Sequence, residues 1–238
     1  MLDNGRILIG KGEKPVYLEG TMANRHGLIA GATGTGKSIT IKVLAESFSD
    51  MGVPVFLADV KGDLAGTAKT GETNPKLEER IEKLGLDNFE YKAYPVRFFD
   101  VLAENGHPIR ATVSDMGPFL LARLMDLTEV QEGVLNIVFH IADDNDLLLV
   151  DLKDLRAMLT YVSNHIKDFI ADYGNMTKQS IGAIQRSLLV LEDEGGNLFF
   201  GEPMFDINDF IAEDNGRGII NILDCAKLYR KPLIYSTF

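Results

Sequence analysis

The stretch Gly31-Ala32-Thr33-Gly34-Thr35-Gly36-Lys37-Ser38 constrains this chain more than any other. It matches G-x-x-x-x-G-K-[ST], a glycine-rich turn between a strand and a helix that cradles phosphate oxygens. With glycine near 7% of residues and lysine similar, a chain of this length meets the pattern by accident on the order of one time in a hundred. The flanks suit the motif. His26-Gly27-Leu28-Ile29-Ala30 is an apolar run of strand length. From Ile39 onward the pattern turns helical, with Ile41, Leu44, Ala45 and Phe48 on one face and Lys42, Glu46 and Ser49 elsewhere.

The chemistry follows from residue type. Successive backbone N–H groups bind phosphate oxygens, and the helix N-terminus adds partial positive charge. Gly31, Gly34 and Gly36 let the backbone turn with no side chain in the way. The nucleotide-binding set is Gly31, Ala32, Thr33, Gly34, Thr35, Gly36, Lys37, Ser38 and Ile39. Lys37 reaches the β- and γ-phosphates, and the Ser38 hydroxyl binds Mg²⁺.

The next informative run is Val53-Pro54-Val55-Phe56-Leu57-Ala58-Asp59, an apolar stretch ending in a carboxylate. It reads as a buried parallel strand. Strand, loop, helix and strand make a βαβ unit, so the fold class is α/β, a parallel sheet flanked by helices. Ligands of such sheets sit at the carboxyl ends of the strands. That puts Asp59 and Asp63, within Asp59-Val60-Lys61-Gly62-Asp63, at the same edge as the phosphate loop. With Lys37 they are the catalytic candidates, to hold Mg²⁺ through water or orient a nucleophile. The alternative for Asp59 is that it caps its loop or balances Lys61.

The remainder falls into blocks. Arg6–Gly10 and Pro15–Leu18 read as a hairpin. Leu64–Asn74 is small and polar, a loop, and Pro75–Leu84 an amphipathic helix. Asp87-Asn88 is a turn, and Tyr91–Tyr94 and Val96–Val101 are strands flanking Pro95. From Asp115 to Glu194 the pattern is helical. Pro118 opens one helix, the capping box Thr128-Glu129-Val130-Gln131 another, and Asp151 caps a third that carries Leu155 through Phe169. A last helix runs from Thr177 to Gly195-Gly196. Phe205–Ile211 is a short helix, and Gly218–Asp224 returns to strand pattern. The organisation is therefore a hairpin and nucleotide-binding core over 1–113, a helical insertion over 114–196, and a return to the core sheet over 197–238. The end Pro232–Phe238 is apolar with no polar tail, odd for a complete domain; the alternative is a terminal strand docked in the sheet.

Composition sets limits. The net charge of −11 argues against a surface broadly coated for nucleic acid. Cys225 is the single cysteine, so no intrachain disulfide forms, which fits a reducing cytoplasm. No apolar run approaches membrane-span length.

Arg25-His26-Gly27-Leu28-Ile29-Ala30-Gly31-Ala32-Thr33-Gly34-Thr35-Gly36-Lys37-Ser38 resembles the R-H-x-L-I-x-G-x-T-G-x-G-K-S region of the HerA–FtsK group of ATPases. Asp59-Val60-Lys61-Gly62-Asp63-Leu64 resembles that group's second-strand motif, and Leu149–Leu155 and Gly216–Leu223 add to the likeness. It is strongest to the YjgR-type bacterial HerA-like ATPases, often described as helicases. The resemblance implies a RecA-like fold, ATP with Mg²⁺, a homo-oligomeric ring, and hydrolysis that moves DNA. It also implies a further strand ending in Asp-Glu, beyond Leu223 in family order. No such strand occurs here, so the expectation is an incomplete core, an N-terminal fragment without the catalytic glutamate. Two other classes share the loop. Asp59-Val60-Lys61-Gly62 and Asp63-Leu64-Ala65-Gly66 match the D-x-x-G of GTPases, yet no N-K-x-D or T-K-x-D follows. A small-molecule phosphotransferase and a nucleotide-binding module without turnover complete the alternatives.

Overall fold

The computed structural model describes residues 1–86 and 89–236, so the turn expected at Asp87-Asn88 lies outside the described residues. The chain opens with β1 (Leu2–Asp3), β2 (Arg6–Lys11) and β3 (Pro15–Glu19), an antiparallel meander. β2 buries Ile7 and Leu8, and a bulge lies between Leu8 and Gly10. Helix α1 (Lys37–Asp50) starts two residues earlier than the periodicity alone suggests. Gly36 sets that start in a left-handed conformation, φ 97°, which costs glycine little. β4 (Val55–Asp59) follows, and Leu64 then closes a small core with Ala45 of α1. The small, polar stretch beyond it makes a 3₁₀ turn at Ala65–Ala68. α2 (Pro75–Leu84) has the bounds that its signals predict. Asn74 accepts from the Leu77 amide, proline sits at the first turn, and Gly85 ends the helix with φ 69°. β5 (Val96–Asp100) completes the first half.

Two expected strands are absent. His26–Ala30 forms no ladder, and Leu28 is 91% exposed. An apolar run becomes a strand only when a neighbour takes up its backbone groups. Among the described residues nothing pairs with this one. Tyr91–Tyr94 is also irregular. Its polar groups go elsewhere: the Tyr94 amide donates to the Thr67 carbonyl at 3.2 Å and the Tyr91 hydroxyl to Glu78 at 2.7 Å.

After β6 (His107–Pro108) the chain is helical: α3 (Val113–Leu124), α4 (Glu129–Asp144), α5 (Leu152–Asn164), α6 (Ile166–Tyr173), α7 (Lys178–Asp193) and α8 (Gly196–Phe199). Gly117 interrupts α3 at φ 71°, ψ 165°, so Pro118 begins its straight part, as the sequence suggests. Both arms of the Thr128–Gln131 capping box are made, and Asp151 caps α5 in a second box with Asp154. The single helix expected from Asp151 through Phe169 breaks at His165. There the backbone leaves the helical conformation, φ −116°, ψ 23°, while the Tyr161 carbonyl still accepts the ordinary helical bond from the His165 amide at 3.1 Å and has the His165 ring Nδ1 beside it at 2.9 Å. Leu135 and Ile141 of α4, Leu155 and Leu159 of α5, and Ile184 and Leu188 of α7 are wholly buried and form the core of the bundle.

α9 (Ile207–Phe210), β7 (Glu213–Asp214), β8 (Arg217–Gly218) and β9 (Ile220–Asp224) follow. The apolar end forms α10 (Pro232–Tyr235), not the strand that is its alternative reading. Proline at its first turn favours a helix start and supplies no ladder donor. The four-stranded parallel sheet has the order β4-β9-β5-β6. β4 and β9 pair Val55 with Ile220 and Asp59 with Asp224. β9 is apolar except for its terminal Asp224 and buried Asn221, whose Nδ2 donates to the carbonyls of Phe210, Val55 and Ile219 at 3.0, 3.2 and 3.4 Å. The chain divides into two compact units. One is Met1–Phe98 with Asp206–Asp224; the other is Phe99–Phe205 with Cys225–Phe238. The first holds the phosphate-loop motif, the second the helical bundle.

Candidate nucleotide site

The loop Gly31–Thr35 is exposed and leads through Gly36 into the first turn of α1. Gly34 and Gly36 hold φ 82° and 97°, turning the backbone where a Cβ would be strained. Gly31 is needed for a different reason. A Cβ there would stand 2.5 Å from Thr35 Oγ1, which donates to the Ala32 carbonyl at 2.8 Å. Lys37 Nζ donates to the carbonyls of Gly31 and Ala32, at 2.7 and 2.8 Å. The ammonium thus bridges the front of the loop, and neutral carbonyls are weaker partners for it than a phosphate would be. Ser38 is half-buried in the first turn, and Ile39 beside it is exposed. The first amides of α1 have no earlier helical carbonyl to bond, so this end is electropositive.

The carboxylates separate in role. Asp59 is 4% exposed and ends β4. Its Oδ1 accepts from the amides of Lys61 and Gly62, at 3.1 and 2.8 Å, and its Oδ2 from Leu64 at 2.9 Å. It holds the turn after the strand. Asp63 is exposed within that turn. No hydrogen bond among the described residues joins either aspartate to the phosphate-loop motif. β4 and α1 nevertheless share a core of Ala45 and Leu64 with Ile41 and Leu57, and a Cβ on Gly66 would lie 3.7 Å from Lys42 Nζ. The turn after Asp59 therefore reaches the second turn of α1.

The sequence marks Asp59 as a site candidate, and marks Asp224 only as the end of a run that superficially resembles a second metal-binding strand. Asp224 ends β9 directly alongside Asp59. The signal was available, since both strands are short apolar runs closing on aspartate. The one Asp-Glu dipeptide in the sequence, Asp193-Glu194, lies at the end of α7, where Glu194 accepts from the Leu233 amide at 2.8 Å. It belongs to no strand.

A loop of this shape between apolar segments is shared by many nucleotide-binding proteins, and the rest of the chain narrows the choice. The family described as "Helicase HerA-like C-terminal" matches residues 4–238. The chain belongs to that family. No curated protein matches it. Membership makes this a HerA-type protein, ATPase- and helicase-like, with the RecA-like α/β fold that the parallel sheet displays. Among the described residues of this HerA-type chain, no helix is long and apolar enough to cross a membrane.

Proposed function

We propose that this chain binds ATP through Gly31–Ile39 and acts as the nucleotide-binding core of a HerA-like motor that hydrolyses ATP to move DNA. The observation that carries the reading is the loop itself: left-handed Gly34 and Gly36 deliver it onto the start of α1 with Lys37 at its front. The residues fit a triphosphate with its metal. Backbone amides and the Lys37 ammonium meet phosphate oxygens, and the Ser38 hydroxyl would hold Mg²⁺, which neutralises phosphate charge. Asp63 is the carboxylate exposed to approach a ligand, and Asp59 supports it by fixing the turn. In the working protein we expect a homo-oligomeric ring in the cytoplasm, with helices 114–196 as an insertion in the core.

A second reading, nucleotide binding without appreciable turnover, has one observation in its favour. Asp59 is 4% exposed and both its oxygens accept backbone amides, so it is poorly placed to activate water. The test is titration of ATP-Mg²⁺ by calorimetry, with phosphate release measured on the same sample, with and without duplex DNA. Binding should weaken at least tenfold in Lys37→Ala while the circular dichroism spectrum stays that of the parent. Parent-like affinity in Lys37→Ala would refute the site. Phosphate release from the parent selects the motor, and binding without release selects the second reading. Preference for GTP over ATP would favour the GTPase class instead.

A further inference from the structure

The helical unit carries a groove of about 310 Å³ between the Leu147–Leu149 segment and the outer face of α5. Leu149 and Met158 form its floor and are buried. Leu148, Leu147 and Tyr161 line it and stay 65%, 50% and 48% exposed. Contiguous apolar side chains left to water mark an interaction surface more often than isolated ones do. The aromatic surface continues past the groove. The Tyr161 ring lies 6.0 Å from that of Phe169, which lies 6.1 Å from that of Tyr173. The Tyr173 hydroxyl donates to Asp144, tying the end of α6 back to the segment that leads into the groove.

The charges around it are nearly all of one sign. Residues 143–154 carry five aspartates, Asp143, Asp144, Asp146, Asp151 and Asp154, against the single Lys153. Asp154 lines the groove, and Asp143, Asp144 and Asp146 are exposed. The nearby cation Arg156 is paired with Glu192 at 2.5 Å. We propose that this groove docks a basic amphipathic helix of a partner protein, with apolar anchors against Leu147, Leu148 and Tyr161 and Lys or Arg side chains facing the aspartates. Helix-in-groove recognition reads anchors at i, i+3 or i+4, and a one-signed rim selects the opposite charge. The same rim disfavours the other occupants. Nucleic acid and anionic lipid are repelled, and a second copy of this chain brings its own charge of −11. The proposal is independent of the nucleotide reading.

The test uses the full chain and three fluorescein-labelled peptides of equal length: a Leu/Lys amphipathic helix, its Leu/Glu counterpart, and a Lys/Ser peptide without anchors. Anisotropy should show the Leu/Lys peptide binding at least tenfold more tightly than either other. Leu148→Ser and Tyr161→Ser, both exposed positions, should each weaken it about tenfold with an unchanged melting profile. Asp143→Asn with Asp146→Asn should weaken it and flatten its salt dependence. Hydrogen exchange with the peptide bound should show protection within 143–161. Equal binding of the Lys/Ser peptide, no loss in Leu148→Ser and Tyr161→Ser, protection confined to other segments, or no binding of the Leu/Lys peptide would each overturn the proposal.

Discussion

Removing the Asp59 carboxylate should destabilise the protein far more than a surface aspartate would. In Asp59→Ala the amides of Lys61 and Gly62 lose their acceptor but lie in an exposed turn, where water can replace it. Each such bond contributes a net ~1 kcal/mol. The Leu64 amide stays buried under a residue that is 6% exposed, so it loses its partner without gaining water. An unsatisfied buried donor costs roughly 1–3 kcal/mol. Together these give a loss of about 4 kcal/mol. Asp59→Asn keeps the size and one carbonyl oxygen, so the two turn amides remain bonded, while its NH₂ faces the Leu64 N–H. It should lose about 2 kcal/mol, chiefly at Leu64. Urea unfolding followed by circular dichroism measures both losses, and hydrogen exchange at the Leu64 amide localises them. A stability of Asp59→Ala within 1 kcal/mol of the parent would refute the reasoning. Unchanged stability with lost phosphate release would return Asp59 to the chemistry.

Three further outcomes follow from the packing and the charges. Gly218→Ala should unfold the β4–β9 region, because its Cβ would stand 2.1 Å from the Val53 carbonyl carbon; a loss of about 3 kcal/mol or more in urea unfolding is expected. Thr128→Ala removes one arm of a complete capping box and should cost ~1 kcal/mol by the same measurement. Burial holds the Glu46 carboxyl above its ordinary value of 4.5, so folding favours the protonated form. That preference is fully present below the ordinary value and is lost as pH rises through the raised one. Glu46→Gln should therefore melt higher than the parent at pH 7, with the difference shrinking as pH falls through the raised value and gone once pH is below about 4.5. A difference constant with pH would show that burial is not the cause.

Elements whose ends carry their own chemistry were readable in advance. α2 is legible in its amphipathic spacing, which Asn74 and Gly85 cap in the structure, α4 in its capping box and α5 in the Asp151 cap. These signals act within a few residues, so no knowledge of the tertiary fold is needed. Strands have no such autonomy. Leu28-Ile29-Ala30 and Val55-Phe56-Leu57 look alike as sequence, yet only the second has a partner strand among the described residues. Hydrophobic content cannot reveal which run will be paired. The break at His165 was hidden for the same reason. Apolar spacing runs through it unbroken, and the interruption is a change of backbone conformation at the single residue His165, φ −116°, ψ 23°. In the site, the loop was legible because its glycines and lysine are fixed by backbone geometry. The allocation of Asp59 to its own turn depended on bonds that spacing does not encode.

Asn221 has a consequence for how uniquely the sheet can assemble. The strand around it, Ile219-Ile220-Asn221-Ile222-Leu223, offers nearly the same greasy side chain at every step. Such a ribbon can slide along its neighbour with little change in buried surface. The one amide cannot slide, because it finds the carbonyls of Val55 and Phe210 only in the observed alignment. A shifted pairing would take that amide from the Val55 carbonyl, and a buried donor that loses its partner costs roughly 1–3 kcal/mol. A polar side chain in the middle of an oily strand thus trades some adhesion for a single answer to where the strand must stop.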